Sequence, residues 1–241
     1  MRIGLCCIAK SEENTIHEWI YYYKKLGFTR IYMYMNDWEY IINDDKVIQI
    51  PFPGYNKQVE AYNHFLKHFR HLFDWVAFFD CDEYLVLKQH SNIQDFIKYF
   101  DNPCGIAVHW CFFGSDGQEK NHHKSSVIKR FTKRQKGVDI HIKTILNLSI
   151  SDTYMVIAHH PNIMLMNTDF KYINGPFDKE KKTDDYVQLN HYHHKSLEEW
   201  ILRIQRGHPD TSPNKSIEQW HKSKYEFCDE EDLFALNFLL S

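Results

Sequence analysis

Asp80-Cys81-Asp82-Glu83 places three carboxylates in four residues, directly after the apolar run Trp75-Val-Ala-Phe-Phe79. Alternation along an extended chain sends Asp80 and Asp82 the same way, while Glu83 turns aside into the following loop. Two carboxylates converging at one edge repel each other unless a cation lies between them. Mn²⁺ or Mg²⁺ suits such a place, because these ions take a few carboxylate oxygens and leave positions for phosphate and water. A lone Asp-x-Asp tripeptide is weak evidence, common in surface loops. Its position at the end of a fully apolar strand raises it to a candidate metal site.

Two other segments can serve the same site. His191-Tyr192-His193-His194 offers imidazole nitrogens, and His191 as a third ligand tilts the preference toward Mn²⁺. With 16 histidines in the chain, chance clustering competes with that reading. Ala9-Lys10-Ser11-Glu12 follows the first apolar strand, where a backbone turn and a few polar side chains can hold a base and ribose.

The elements that must position these residues follow from hydrophobic periodicity. Arg2 to Ala9 reads as a buried strand, followed by Ile16, Trp19, Ile20, Tyr23 and Leu26 at helical spacing, with Gly27 as the stop. Strands are expected at Thr29–Met35, Val47–Ile50, Trp75–Phe79 and Gly105–Phe112. Val59, Tyr62, Leu66 and Phe69 form a second helical stripe, and Ser91-Asn-Ile-Gln94 has the form of a capping box. Strand–helix alternation of this kind implies an α/β fold, Rossmann-type, with a mainly parallel sheet covered on both faces. Ligands in such sheets bind beyond the carboxyl ends of the strands, where Asp80 to Glu83 falls.

The second half is less regular. Ser126–Phe131, His141–Leu148 and Tyr154–Ala158 read as strands, and Asn162–Tyr186 as loop-rich. Ser196-Leu-Glu-Glu199 is a second capping box, opening a helix that Gly207 closes. The acidic run Asp229–Asp232 precedes an apolar stretch, Leu233–Leu240. That stretch reads as an amphipathic terminal helix docked on the body or on a second copy in a homodimer. With no repeat and no convincing linker, the 241 residues read as one domain.

Composition narrows the class. Hydrophobic residues are 43% and charged ones 25%, as in a soluble globular protein, and 15 Tyr with 17 Phe can fill a large core or stack on bases and sugars. A net charge of −3 gives no global field for nucleic acid. Lys120, Lys124, Lys129, Arg130, Lys133, Arg134, Lys136 and Lys143 nevertheless fall in one stretch. It reads as a solvated face, or as a patch for the phosphates of a donor or an anionic lipid surface. Six cysteines without a CxxC pair suit a reducing cytoplasm. No apolar run is long enough to span a bilayer, so contact with a membrane would be peripheral.

In order along the chain, several segments together resemble one known group. They are Cys7-Ile-Ala-Lys-Ser-Glu12, His17-Glu18-Trp19 with Tyr22, Leu26 and Gly27, Ile31 to Asp37, and Gln58 with Asn63. They continue with Asp74 to Glu83, Trp110 to Gly117 with Arg130-Phe131, and His191-Tyr192 through Lys195-Ser196. From residue 3 to 207 the chain resembles bacterial glycosyltransferases of the family 2-like and family 92 type, which share the GT-A fold. The match departs at Ser11, where the family usually has Asn, and in the order Met35-Asn36-Asp37.

The resemblance implies a metal-dependent transfer of a hexose from a nucleotide-diphosphate sugar, a UDP-hexose such as UDP-galactose, to a glycan or lipid-linked glycan. Inversion at the anomeric carbon, and a setting in surface polysaccharide or lipopolysaccharide synthesis, follow from it too. Residues 1–105 would bind the donor and 106–241 the acceptor. Asp82 and His191 would hold the metal, Asp80 the metal or the donor ribose. Ala9, Lys10, Glu12, Asp37 and Gln58 would meet the nucleotide. Inversion requires a general base, for which Asp116 in Gly114-Ser-Asp-Gly117 is the first candidate, with Glu119 and Glu83 in reserve. Two other classes compete: a metal-dependent phosphohydrolase or nuclease using the same carboxylates, and a non-catalytic carbohydrate-binding module built on Tyr and Trp.

Overall fold

The structure, a computed structural model, describes residues 1–122, 125–180, 184–206, 216–226 and 228–241. In its first half run β1 (Ile3–Ala9), α1 (Ile16–Leu26), β2 (Arg30–Met35), β3 (Val47–Pro51), α2 (Gln58–His68), β4 (Trp75–Phe78), β5 (Glu83–Leu87), α3 (Ile93–Lys98) and β6 (Gly105–Phe112). Then come α4 (Val127–Arg130), β7 (Lys133–Arg134), β8 (Ile142–Asn147), β9 (Met155–Ile157), β10 (His160–Pro161), β11 (Leu165–Met166) and β12 (Tyr172–Ile173). The chain ends with β13 (Val187–His191), α5 (Leu197–Arg206), α6 (Ile217–Glu226), β14 (Glu230–Glu231) and α7 (Phe234–Leu240).

The expected α/β architecture with a mainly parallel sheet is present. The main path runs β12-β11-β6-β8-β4-β1-β2-β3, with β13 joined to both β5 and β6. Strands β3, β2, β1 and β4 are mutually parallel, and β8 runs against β4 and β6. Parallel pairing with helices on both faces explains why β1 is apolar at every position, since neither side meets water. Packing is tight at Gly4, where a Cβ would come within 3.2 Å of the Phe73 ring and the ring would have to give way.

Each face has its own helix. Trp19, Ile20, Tyr23 and Leu26 of α1 pack with Leu5, Cys7, Met33 and Ala77 on one side. Ala61, Tyr62, Phe65 and Leu66 of α2 pack with Cys6, Tyr32, Tyr34 and Phe78 on the other. Gly27 ends α1 in the left-handed region at φ 100°, where a side chain would be strained.

The register fixes the site. Ala9 lies opposite Met35, and Met35 opposite Pro51, so these strand ends share one edge with the end of β4. β6 changes partner midway: Gly105 to His109 pair with β8, and Trp110 to Phe112 with β13. β13 thereby lies between β6 and β5, with His191 opposite both Phe112 and Glu83. A strand from late in the chain is thereby delivered beside the Asp cluster.

Several expectations need correction. Ser126–Phe131 is not a strand: Ser126 accepts a hydrogen bond from the Lys129 amide and caps one helical turn, α4. The capping residue of α3 is Asn92 rather than Ser91, its side chain accepting from the Asp95 amide. The second capping box is as expected, with Ser196 and Glu199 bonded reciprocally, while Gly207 lies outside the described residues. The loop-rich 162–186 region contains β11, which extends the main sheet, and β12.

The terminal helix docks on the chain's own body. Phe238 packs edge-on to Tyr22 at 5.0 Å, and Lys25 donates to the Leu239 carbonyl. The basic stretch is not one solvated face. Lys143 is fully buried, Arg134 is paired with Asp184, Glu230 and Asp232, and Arg130 grips Glu199; Lys124 lies outside the described residues. All six thiols are free. Among the described residues no helix is long and apolar enough to cross a membrane.

Candidate functional site

The Asp cluster is held by its surroundings before any ligand arrives. Trp19 of α1 donates its indole N–H to the carbonyls of Asp80 and Glu83, at 3.1 and 2.9 Å. Tyr23 donates to the same Glu83 carbonyl at 3.0 Å. Glu83 is fully buried. One of its carboxylate oxygens accepts from the Asp80 amide at 2.8 Å, and the other from the Trp110 indole at 2.7 Å. Burial pushes its carboxyl well above the usual range. Glu83, a reserve candidate for the base, is thus an interior brace for the loop.

Asp80 and Asp82 have different partners, because the chain turns at Cys81-Asp82 and strand alternation no longer applies. Asp80 Oδ1 accepts from Gln58 at 2.6 Å and from the Tyr62 hydroxyl at 3.2 Å. Its Oδ2 lies 2.8 Å from the Lys143 ammonium, which is 3.6 Å from Glu83. Burial opposes the charge on Asp80, but Lys143 outweighs it and holds the carboxyl below its ordinary value. The same carboxylates overcome the burial of Lys143 and keep it cationic. Gln58 therefore meets Asp80 directly.

Asp82 faces β13. Its Oδ1 lies 3.6 Å from His191 Nε2, and its Oδ2 accepts from Arg203 at 3.1 Å. Tyr192 donates its amide to the Asp82 carbonyl, which ties the two segments together. Burial works against the Asp82 charge, yet His191, Arg203 and Lys195 hold its carboxyl well below the usual range. Burial lowers His191 despite the pull of Asp82, so its ring is neutral near pH 7 and able to ligate.

One atom each from Asp82, His191 and His193 lies within 4.8 Å of the others. Both ring nitrogens of His191 are buried without a hydrogen-bond partner. A 3.6 Å gap is too long for a hydrogen bond. Two ligands at roughly 2.1 Å from one ion stand about that far apart. The donor set of one carboxylate and two imidazoles therefore fits a divalent ion of the Mn²⁺ kind. His193 was visible in the sequence as part of the histidine cluster, but only the reach of its side chain beyond β13 selects it.

The cleft beside this cluster has a volume of about 260 Å³. Ser11 and Glu12 line it from the end of β1, Asp82 and His193 from the metal side, and Lys195 and Arg203 from the α5 side. Glu12 is braced by the Thr15 hydroxyl at 3.2 Å and lies 3.7 Å from Lys195. Ser11 adopts φ 54°, a left-handed conformation that turns the chain sharply after Lys10. Lys10 pairs with Asp37 at 3.3 Å, and Asp37 also accepts from the Gly54 amide, so these two form a separate group at the same edge.

The structure does not bring Asp116 to this cleft. It sits in its turn at φ 51°, 3.4 Å from the Thr132 hydroxyl and 3.5 Å from Lys133, and is absent from the cleft lining. Asn63 has a structural task, exchanging two hydrogen bonds with the backbone of Met155.

The sequence pattern of glycosyltransferase family 92 matches residues 46–229. A glycosyltransferase family 92 protein of Ricinus communis is 24% identical over 201 residues, covering 78% of this chain and 34% of that protein. One from Oryza sativa subsp. japonica is 23% identical over 184 residues, covering 70% and 30%. This chain thus spans about a third of the length of these relatives. They are plant proteins, so they give no support to the bacterial part of the resemblance. Among solved structures, S. aureus TarS 1-349 in complex with UDP-GlcNAc aligns with 99% of this chain and 70% of its own. That alignment has a TM-score of 0.45 and 13% identity. The complex of the same protein with UDP aligns with 62% and 47%, at a TM-score of 0.39 and 14% identity. With the family pattern extending over well more than half of its 241 residues, the chain belongs to glycosyltransferase family 92.

Proposed function

We propose that this chain is the glycosyltransferase module of a family 92 enzyme, moving a hexose from a nucleotide-diphosphate sugar to a glycan hydroxyl. The observation that carries the proposal is the convergence of Asp82, His191 and His193 at the carboxyl edge of the sheet. A divalent ion bound there supplies Lewis acidity toward a departing diphosphate.

The protein's own residues do the rest. Arg203 and Lys195 put two positive charges on the cleft beside Asp82, where a diphosphate needs them. Glu12 anchors Lys195 toward the end of β1, so the turn after Ala9 and the α5 side close on the same ligand. Asp80, ionised and fixed by Lys143, Gln58 and Tyr62, keeps a partly exposed carboxylate available to a donor hydroxyl. Inversion would require a general base; Asp116, the first candidate in the sequence, lies off the cleft lining, and its part in the reaction is tested below. A UDP-hexose donor such as UDP-galactose and a surface-polysaccharide or lipopolysaccharide acceptor complete the reading and rest on the resemblance described above; the cytoplasmic setting rests on the cysteine pattern.

Release of UDP from UDP-galactose, assayed with Mn²⁺ and a galactoside acceptor, tests the proposal. Release that rises with acceptor and stops with chelator is expected. Nucleotide cleavage indifferent to acceptor would move the protein to the phosphohydrolases.

A further inference from the structure

Asp80 and Asp82, with the Glu83 carboxyl beside them, group oxygen ligands of the kind that hold two divalent ions in two-metal hydrolases. One half of that capacity is already taken. Lys143 enters from β8, opposite Val108 in register, with its side chain entirely buried. Its ammonium stands 2.8 Å from Asp80 Oδ2 and 3.6 Å from Glu83 Oε1, where a cation shared by those carboxylates would stand. The neighbours fix this arrangement: Tyr62 and Gln58 take the other oxygen of Asp80, and Trp110 holds Glu83.

We infer that Lys143 is a resident cation that reduces the carboxylate cluster to a one-metal site, leaving a single divalent ion to Asp82, His191 and His193. The inference rests on the metal-dependent reading above and deepens it. A fixed ammonium balances the charge of Asp80 without ligating phosphate or activating water, so the second metal of a hydrolase has no place to bind. Without Lys143, the Asp80 carboxylate would sit beside the Glu83 carboxyl with no counter-ion, and a divalent ion would take the vacated place.

Lys143 acts through Asp80 and Glu83 and is a positioning residue. Its test reads metal binding rather than turnover. Mn²⁺ stoichiometry and affinity would be measured on the full chain by electron spin resonance and calorimetry. Wild type is expected to bind one Mn²⁺. Asp80→Asn should bind one with affinity within about threefold, whereas Asp82→Asn should lose roughly tenfold or more, having lost a direct ligand. Lys143→Met should bind a second Mn²⁺. Should that variant not fold, Lys143→Met combined with Asp80→Asn removes equal and opposite charges, and should bind one ion with wild-type affinity. A Lys143→Met protein that still binds one ion, or an Asp80→Asn protein as impaired as Asp82→Asn, overturns the inference alone. A wild-type protein that binds no Mn²⁺ overturns the metal reading beneath it as well.

Discussion

Asp82 and His191 face each other across 3.6 Å, and neither ring nitrogen of His191 has a hydrogen-bond partner. A buried polar pair left in that state costs stability unless something else completes it. With His193 on one side and the cleft on the other, the divalent ion proposed above would complete it. The two residues come from segments more than a hundred positions apart, joined by the insertion of β13 between β5 and β6.

The loop carrying the cluster depends on α1. Trp19→Phe keeps the ring bulk but removes the donor to the Asp80 and Glu83 carbonyls. A loss of about 1–3 kcal/mol in denaturant unfolding is expected, with Mn²⁺-dependent UDP affinity weakened in parallel. A variant with unchanged stability and affinity would show that the loop holds itself.

Arg134 binds the tail to the body through Asp184, Glu230 and Asp232, and Asp232 is itself buried. Arg134→Met leaves that carboxylate without its partner, so a loss of roughly 3–5 kcal/mol is expected in urea unfolding. Asp232→Asn on the same background should recover part of it. Recovery of none would mean that the packing of α7, rather than charge, fixes the tail.

Burial, joined by the nearby Lys143 ammonium, pushes the His159 imidazole down to about 4. An unfolded histidine titrates at about 6.5. Between these values the unfolded chain takes up a proton that the folded chain refuses. Stability fully present above pH 6.5 is therefore lost as pH falls toward 4. The span is worth on the order of 3 kcal/mol. His159→Gln should flatten the slope of the unfolding midpoint against pH in that window, and an unaltered slope would place the acid sensitivity in the carboxylates.

Asp116 lies beside Thr132 and Lys133 rather than on the cleft lining. Asp116→Asn is accordingly expected to keep more than about a tenth of the transfer rate, since a general base is typically worth ~10²–10⁴-fold. A loss of that size at unchanged UDP affinity would establish Asp116 as the base.

Much of the first half was legible because its signals are local. The α1 stripe, its Gly27 stop and the apolar β1 and β6 follow from side-chain periodicity and backbone freedom. The placement of Ala9–Glu12 and the Asp cluster at one edge followed from parallel pairing. What was hidden depends on partners distant in sequence. Lys143 reads as one more cation in a basic stretch until β8 is seen to run between β4 and β6. Nothing local in the sequence ties Arg203 to Asp82; the contact exists only once α5 is brought against the cluster. Ser126–Phe131 was misread because a single capped turn is too short to show a helical period.

The most direct test of the central claim is calorimetric titration of UDP, with and without Mn²⁺, into wild type and Asp82→Ala. The account predicts binding by wild type that requires Mn²⁺, lost in a variant that keeps its thermal unfolding transition. Equal binding by both proteins, or binding indifferent to the ion, would contradict the assignment of Asp82 to the metal.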